Sequence, residues 1–192
     1  MIVFVVVDIE AGYDTQIWHK LMGNLKTKNE DIQPLIANKI LEKGDISVVM
    51  RVSHPKMLSD YIISNIRSVE GVRDVETYYL LNAVFLGSKD KISRSGEGIQ
   101  AYISIQTEPS KDKEVSGSIA ALEEKYGVYS RFVGYTFHKP GFNILYSLNA
   151  PDLDSLEKFL YEKIRTIDDV SDTELMIGTN YEYLADPKAI YT

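Results

Sequence analysis

The side chains available for chemistry are three histidines, thirteen tyrosines and a set of carboxylates, with no cysteine in the 192 residues. The missing thiol excludes a disulfide scaffold, a thiolate metal site and a cysteine nucleophile. His19 falls on a stretch of helical spacing beside Trp18, His54 precedes Pro55, and His138 stands next to a Pro140-Gly141 bend. That scatter is not the spacing of a metal site, and each histidine reads as a surface or capping residue. The chain has no P-loop, no Gly-x-Ser-x-Gly elbow and no His-Glu-x-x-His. Tyrosines gather toward the C-terminus, among them Tyr126, Tyr135, Tyr146 and Tyr181. They could line a pocket, but at alternate positions on strands they are expected to pack the sheet. The residue types point to no catalytic group, no metal and no cofactor.

The elements that would position any site are written twice. Phe4, Glu10 and Asp14 in IVFVVVDIEAGYD match Tyr102, Glu108 and Asp112 in QAYISIQTEPSKD at a spacing of 98 residues, and IRSVEGVRDVET from Ile66 matches IRTIDDVSDTEL from Ile164 at the same spacing. The spacing slips to 96 at Pro55 and Pro151. Each half opens with a β-rich run, Ile2 to Ile9 or Ala101 to Gln106. A helical spacing follows, Ile17, Leu21, Met22, Leu25 in one half and Val115, Ile119, Leu122, Tyr126 in the other, the second with Gly127 as its C-cap. Next comes a hairpin with Gly44 or Pro140-Gly141 at its bend. Pro55 and Pro151 then open helices with stripes Leu58, Ile62, Ile66 and Leu153, Leu156, Leu160, Ile164. A last strand, Val75 to Phe85 or Thr173 to Tyr183, closes each unit. The order β-α-β-β-α-β predicts an α+β fold of tandem ferredoxin-like units.

The expected domains are 1–86 and 99–192, the second with a C-terminal tail, joined by a Gly-, Ser- and charge-rich linker at 87–98. Helices cover one face of such a sheet, and the other must be covered too if it is apolar. Val3, Val5 and Val7 alternate with Phe4 and Val6, so β1 is apolar on both faces. The matching strand alternates Ile103 and Ile105 with Tyr102, Ser104 and Gln106. Sheets pairing within the chain or between chains would leave a seam of mixed polarity able to hold a small ligand.

A formal net charge of −7 argues against direct nucleic-acid binding, which needs a basic face to replace phosphate counterions. The opening apolar run is too short for a membrane span and has no basic leader, so a soluble cytoplasmic protein without membrane attachment is expected.

The second half, from AYISIQTEPSKDKEV through PDLDSLEKFLYEKIRTIDDVSDTELMIG, resembles the effector (RAM) domain of Lrp/AsnC-type transcription regulators. The first half is similar through IEAG, EKGDISVVMRV and IRSVEGVRDVET. The resemblance implies a dimeric α/β-barrel type of βαββαβ domain that forms homo-oligomers, works with other regulators of the family and binds an amino-acid-like effector at its interfaces. The regulators' helix-turn-helix domain has no counterpart here. The implied protein is a non-enzymatic, duplicated effector or assembly module without DNA contact of its own. Two other readings fit the residues: an interaction module without ligand, and a small enzyme of the dimeric α/β-barrel kind, since that architecture also hosts monooxygenases, isomerases and haem enzymes.

Carried over by residue, the family's Gly-x-x-Asp hairpin falls on Gly44, Asp45 and Ser47 in the first half and on Gly141 and Asn143 in the second. Ser47 and Asn143 stand where the family has its carboxylate, which removes the charge that makes ammonium recognition strong. The Glu-Thr of the last strand falls on Glu76 and Thr77, and its counterpart on Thr173 and Glu174. These nine residues are the implied ligand-binding set.

Overall fold

The computed structural model describes residues 1–12, 14–27, 29–41, 45–86, 98–122, 125–139 and 142–186, with side chains at 137–139 excepted. Its elements in chain order are β1 (Ile2–Ile9), α1 (Asp14–Leu25), β2 (Ile32–Ile40), β3 (Ile46–Val52), α2 (Leu58–Ile62) and β4 (Val72–Phe85). The order repeats as β5 (Ile99–Thr107), α3 (Asp112–Ala120), β6 (Tyr129–Lys139), β7 (Phe142–Ala150), α4 (Leu153–Phe159) and β8 (Val170–Tyr183). This is an α+β fold of eight antiparallel strands and four helices among the described residues.

The contacts divide the chain into two compact units that are not its contiguous halves. Unit one holds Met1–Tyr78 and the stretch that begins at Thr179; unit two holds Tyr79–Gly178. The physical reason is strand length. β4 and β8 are 14 residues each, against 7 to 11 for the other strands, so each begins in one unit and ends in the other.

In unit one the strands neighbour in the order β1-β3-β2-β8. β1 pairs with β3 from Ile2↔Arg51 to Val7↔Ile46, β2 pairs with β3 around a bulge between Pro34 and Ile36, and Leu184 N donates to Leu35 O at 2.9 Å. Alternation on β1 sends Val3, Val5, Val7 and Ile9 toward the helices, where they meet Ile17 and Leu21 of α1 and Leu58 and Ile66 of the second helix. Phe4 points the other way and is also fully buried, edge-on to Tyr78 at 5.6 Å.

In unit two the order is β8-β5-β7-β6-β4. Ala101, Ile103 and Ile105 pack with Val115, Ile119 and Ile164, while Tyr102 on the opposite face is buried beside Phe132. Two expectations are corrected here. The α3 helix stops at Ala120, well before the expected C-cap, because Tyr126 and Gly127 both take positive φ (59° and 73°) in the turn leading to β6. Leu153, expected on the inner stripe of α4, is 53% exposed, one turn outside the contact made by Leu156 and Leu160. The bends at Gly44 and Pro140-Gly141, the tail beyond 186 and the linker except Gly98 lie outside the described residues.

Backbone details recur at the spacing of 98. Positive φ is found at Gly12 and Ser110, at Gly71 and Asp169, and at Asn82 and Asn180. Glu10 N donates to Gly71 O at 2.8 Å, as Glu108 N does to Asp169 O at 2.9 Å. One residue off that register, each second helix ends in a π-turn, closed by Ser68 N to Ile63 O at 3.0 Å and by Arg165 N to Leu160 O at 2.9 Å.

Candidate functional site

A cleft of about 440 Å³ opens in unit one, lined by Val6, Asp8, Asp45, Arg73, Asp74 and Glu76. Strand periodicity builds it. Val6 and Asp8 are two apart on β1, and Asp74 and Glu76 are two apart on β4, so each pair shares a face. Asp45 stands just before β3, where its carbonyl accepts from Ile40 N at 2.6 Å and closes the β2–β3 ladder. Its side chain is buried.

One position beyond the Val7↔Ile46 pair, the ladder brings Asp8 alongside Asp45. Two like charges opposed across strands repel. Arg73 answers that repulsion, donating from Nη2 to Asp8 Oδ1 at 2.6 Å. The Asp8 hydrogen bond first, and then the charges of Asp8, Asp45 and Glu10, hold the guanidinium above its already high value. Asp74 accepts from its neighbour's Val75 N at 2.8 Å and from Arg67 Nη2 at 2.9 Å. These two bonds, the backbone one foremost, keep its carboxyl below the usual carboxylate range. The π-turn that ends the second helix is what delivers Arg67 to this point. Glu76 Oε2 accepts from the Tyr78 hydroxyl at 3.0 Å, and Tyr78 is itself fixed against Phe4.

The cleft can therefore draw in a cationic or hydrogen-donating group, accept a proton at Glu76, and meet a developing anion with the remaining N–H donors of Arg73. Among the described residues no group of three His, Cys, Asp or Glu is placed to hold a metal ion. Iron of the porphyrin kind needs an axial donor. His19 is exposed on α1, and His54 is exposed and bonded to Asp31 at 2.5 Å. Neither lies at the cleft, so the described side chains there do not fit such a group.

Of the implied ligand set, the structure brings Asp45 and Glu76 together in this cleft. Ser47 lies a layer beneath, buried opposite Val6, and accepts from Asn38 Nδ2 at 3.3 Å. Thr77 is one residue from Glu76 and so on the other face of β4. Gly44 and Gly141 lie outside the described residues. In the second half, Asn143 Nδ2 donates to Thr107 Oγ1 at 2.9 Å, Thr173 Oγ1 accepts from Arg165 Nε at 2.9 Å, and Glu174 is exposed across from Ser104. Sequence reasoning missed Asp8, Arg73 and Asp74. The available signal was an acid closing an apolar strand and two acids spaced by two in RDVE.

No protein-family model matches the chain. No curated protein sequence matches it either. Solved structures do. A protein from Lactobacillus acidophilus NCFM assigned as a monooxygenase superposes with a TM-score of 0.63 at 8% identity, covering 95% of each chain. The chlorite dismutase of Candidatus Nitrospira defluvii gives 0.60 at 6% identity over 93% of this chain and 90% of its own. The siroheme decarboxylase NirDL gives 0.61 at 10% identity over 94% of this chain and 72% of its own. At such identities the likeness is one of fold.

These neighbours overturn the expectation of an Lrp/AsnC effector domain and of a non-enzymatic module in transcription regulation, for they carry the names of enzymes. The physical reason for the misreading is that Ile-Arg, Gly-Val and Glu-Thr positions report strand ends and helix packing of a βαββαβ unit, which regulators and enzymes share. Of the expected soluble cytoplasmic character, the structure shows that no helix among the described residues is long and apolar enough to cross a bilayer.

Proposed function

We propose that the protein is a small enzyme of the dimeric α/β-barrel type, built from two ferredoxin-like repeats, that abstracts a proton from a small polar substrate in the cleft of unit one. The observation that carries the reading is the placement of Glu76, steadied by the Tyr78 hydroxyl at 3.0 Å, in one cleft with the Arg73 guanidinium. Glu76 is the general base. Arg73, already anchored on Asp8, meets the negative charge that builds up on the substrate as the proton leaves. Asp45 and Asp74 keep the field of the cleft negative and favour neutral or cationic substrates over anionic ones. Support for two repeats comes from the left-handed residues that recur at the spacing of 98 and from the π-turns, which recur at a spacing of 97. Support for an enzyme comes from the neighbours named as a monooxygenase, a dismutase and a decarboxylase.

The test follows exchange of the carbon-bound methylene hydrogens of hydroxyacetone in D2O by proton NMR. The wild-type protein is expected to accelerate exchange, and Glu76→Gln to lose about 100-fold or more of the acceleration, the usual share of a positioned base. Acceleration that survives Glu76→Gln with an unchanged melting temperature would remove Glu76 from the reaction.

A further inference from the structure

We infer that unit two contains a second binding site, on the sheet face away from its helices, for a small neutral group that presents an N–H donor beside a C=O acceptor. Gln100 on β5 and Asn149 on β7 are direct cross-strand partners. Their neighbours Ala101, Leu148 and Ala150 face the helices, so by strand alternation the two amides face the other way. Both side chains are buried, at 0% and 1% exposure. Gln100 Nε2 donates to Ser147 Oγ at 3.3 Å, but among the described residues Gln100 Oε1 and both amide atoms of Asn149 have no hydrogen-bond partner.

Three unpaired polar atoms on two touching strands are costly, since each buried donor or acceptor left unmade forfeits its hydration. The fold does not demand them. In the register of the repeat the counterparts in unit one are Ile2 and Arg51, which are also paired across their strands. A carboxamide pair retained at such cost is explained by a ligand that satisfies it. The chemistry of the ligand follows from the atoms. Asn149 offers an acceptor and a donor side by side, which another amide edge meets with two parallel hydrogen bonds. Gln100 Oε1, on the residue directly across the strand, accepts a second N–H from the same group. No charge is among the unpaired atoms, and the buried guanidinium of Arg131 in the same unit is already engaged. A charged ligand would be buried without compensation there. The ligand group is therefore a carboxamide or the amide edge of a planar ring.

The experiment measures the melting temperature of the full chain with acetamide and, separately, with uracil, for the wild type and for Asn149→Leu and Gln100→Met, which keep side-chain size. At least one probe is expected to raise the wild-type melting temperature with concentration by mass action. The variants should lose about tenfold or more of the affinity. Without probe, Asn149→Leu should melt no lower than the wild type, because an unpaired amide has been exchanged for an apolar isostere. A shift with acetamide alone points to an open-chain amide, and one with uracil alone to a ring edge. The inference is overturned if neither probe moves the wild type, if the shift persists in both variants, or if Asn149→Leu alone destabilises the protein, which would mean that the amide already has its partners. Glu76→Gln must leave the probe shift intact, so failure of this site and failure of the unit-one cleft remain distinguishable.

Discussion

Arg73 places its guanidinium 2.6 Å from Asp8, at the point where the β1–β3 ladder sets Asp8 alongside Asp45. One arginine thus makes it possible for two acids to share a strand end. Arg73→Ala should lower the melting temperature at neutral pH by unmasking the Asp8–Asp45 repulsion. The deficit should shrink as sodium chloride is raised from about 0.05 to about 0.5 M, because Arg73 is largely exposed and Asp8 partly so, and salt screens both, while Asp45 stays buried. A deficit independent of salt would assign the loss to packing of the arginine stem instead.

Asp74 titrates below the usual carboxylate range because Val75 N and Arg67 bond its charged form. A depressed folded-state value stabilises the fold above the ordinary aspartate range, and that contribution is lost as pH falls through the folded-state value. Asp74→Asn should therefore melt lower than the wild type at pH 7, and the two curves should converge in strong acid. Parallel curves across the acid range would refute the coupling.

Tyr61 is buried against the unit-one core, and burial pushes its phenol up to about 12 from an ordinary 10.0. Its hydroxyl finds no partner among the described residues. The protonated form is favoured by folding, so this contribution is complete below pH 10 and disappears as pH rises through 12. Over that window the wild type should lose roughly 2–3 kcal/mol that Tyr61→Phe keeps. At pH 7 Tyr61→Phe should be neutral or stabilising. Chemical denaturation at pH 7 and pH 11, where about half of that loss is expected, checks both halves.

Ser110 holds a φ of 67°, 98 residues after Gly12 at 89°. Left-handed backbone costs a residue with a Cβ about 1–2 kcal/mol, partly offset by the greater chain entropy of glycine. Ser110→Gly is expected to stabilise the protein by up to about 1 kcal/mol. A lower melting temperature would show that the serine side chain contributes more than the strain removes.

Phe4 and Val6 lie on the same face of β1 with different surroundings, Phe4 fully buried and Val6 on the cleft wall. Phe4→Ala should cost about 3–5 kcal/mol, the range for aromatic deletions in cores. Val6→Asp should cost less and make the cleft more acidic. Equal losses in denaturant titrations would mean that Val6 is buried as deeply as Phe4.

The second-half alternation of Ile103 and Ile105 with Tyr102 and Ser104 gave the correct face for each side chain, because a strand's period of two needs only neighbours in sequence. Ile66 and Ile164 were legible as core for the same reason, at helical spacing. The α3 end was not legible. Tyr126 fits the helical stripe, but the chain has already turned left-handed before β6. The length of β4 and β8 was underestimated too, since Val72 and Val170 are recruited by strand pairing beyond the local pattern.

By itself the sequence determined the element order, the inward face of most elements, with Leu153 as an exception, and the absence of thiol chemistry, all of which depend on residue type and short-range spacing. Only the tertiary structure decided that Asp8, Asp45, Arg73 and Glu76 meet in one cleft, and that Gln100 and Asn149 stand side by side with amide atoms unpaired among the described residues. Asp8, Asp45 and the β4 pair Arg73 and Glu76 lie tens of residues apart, as do Gln100 and Asn149. Their meeting follows from strand order and register, which are set by the burial of whole faces rather than by anything the individual residues carry.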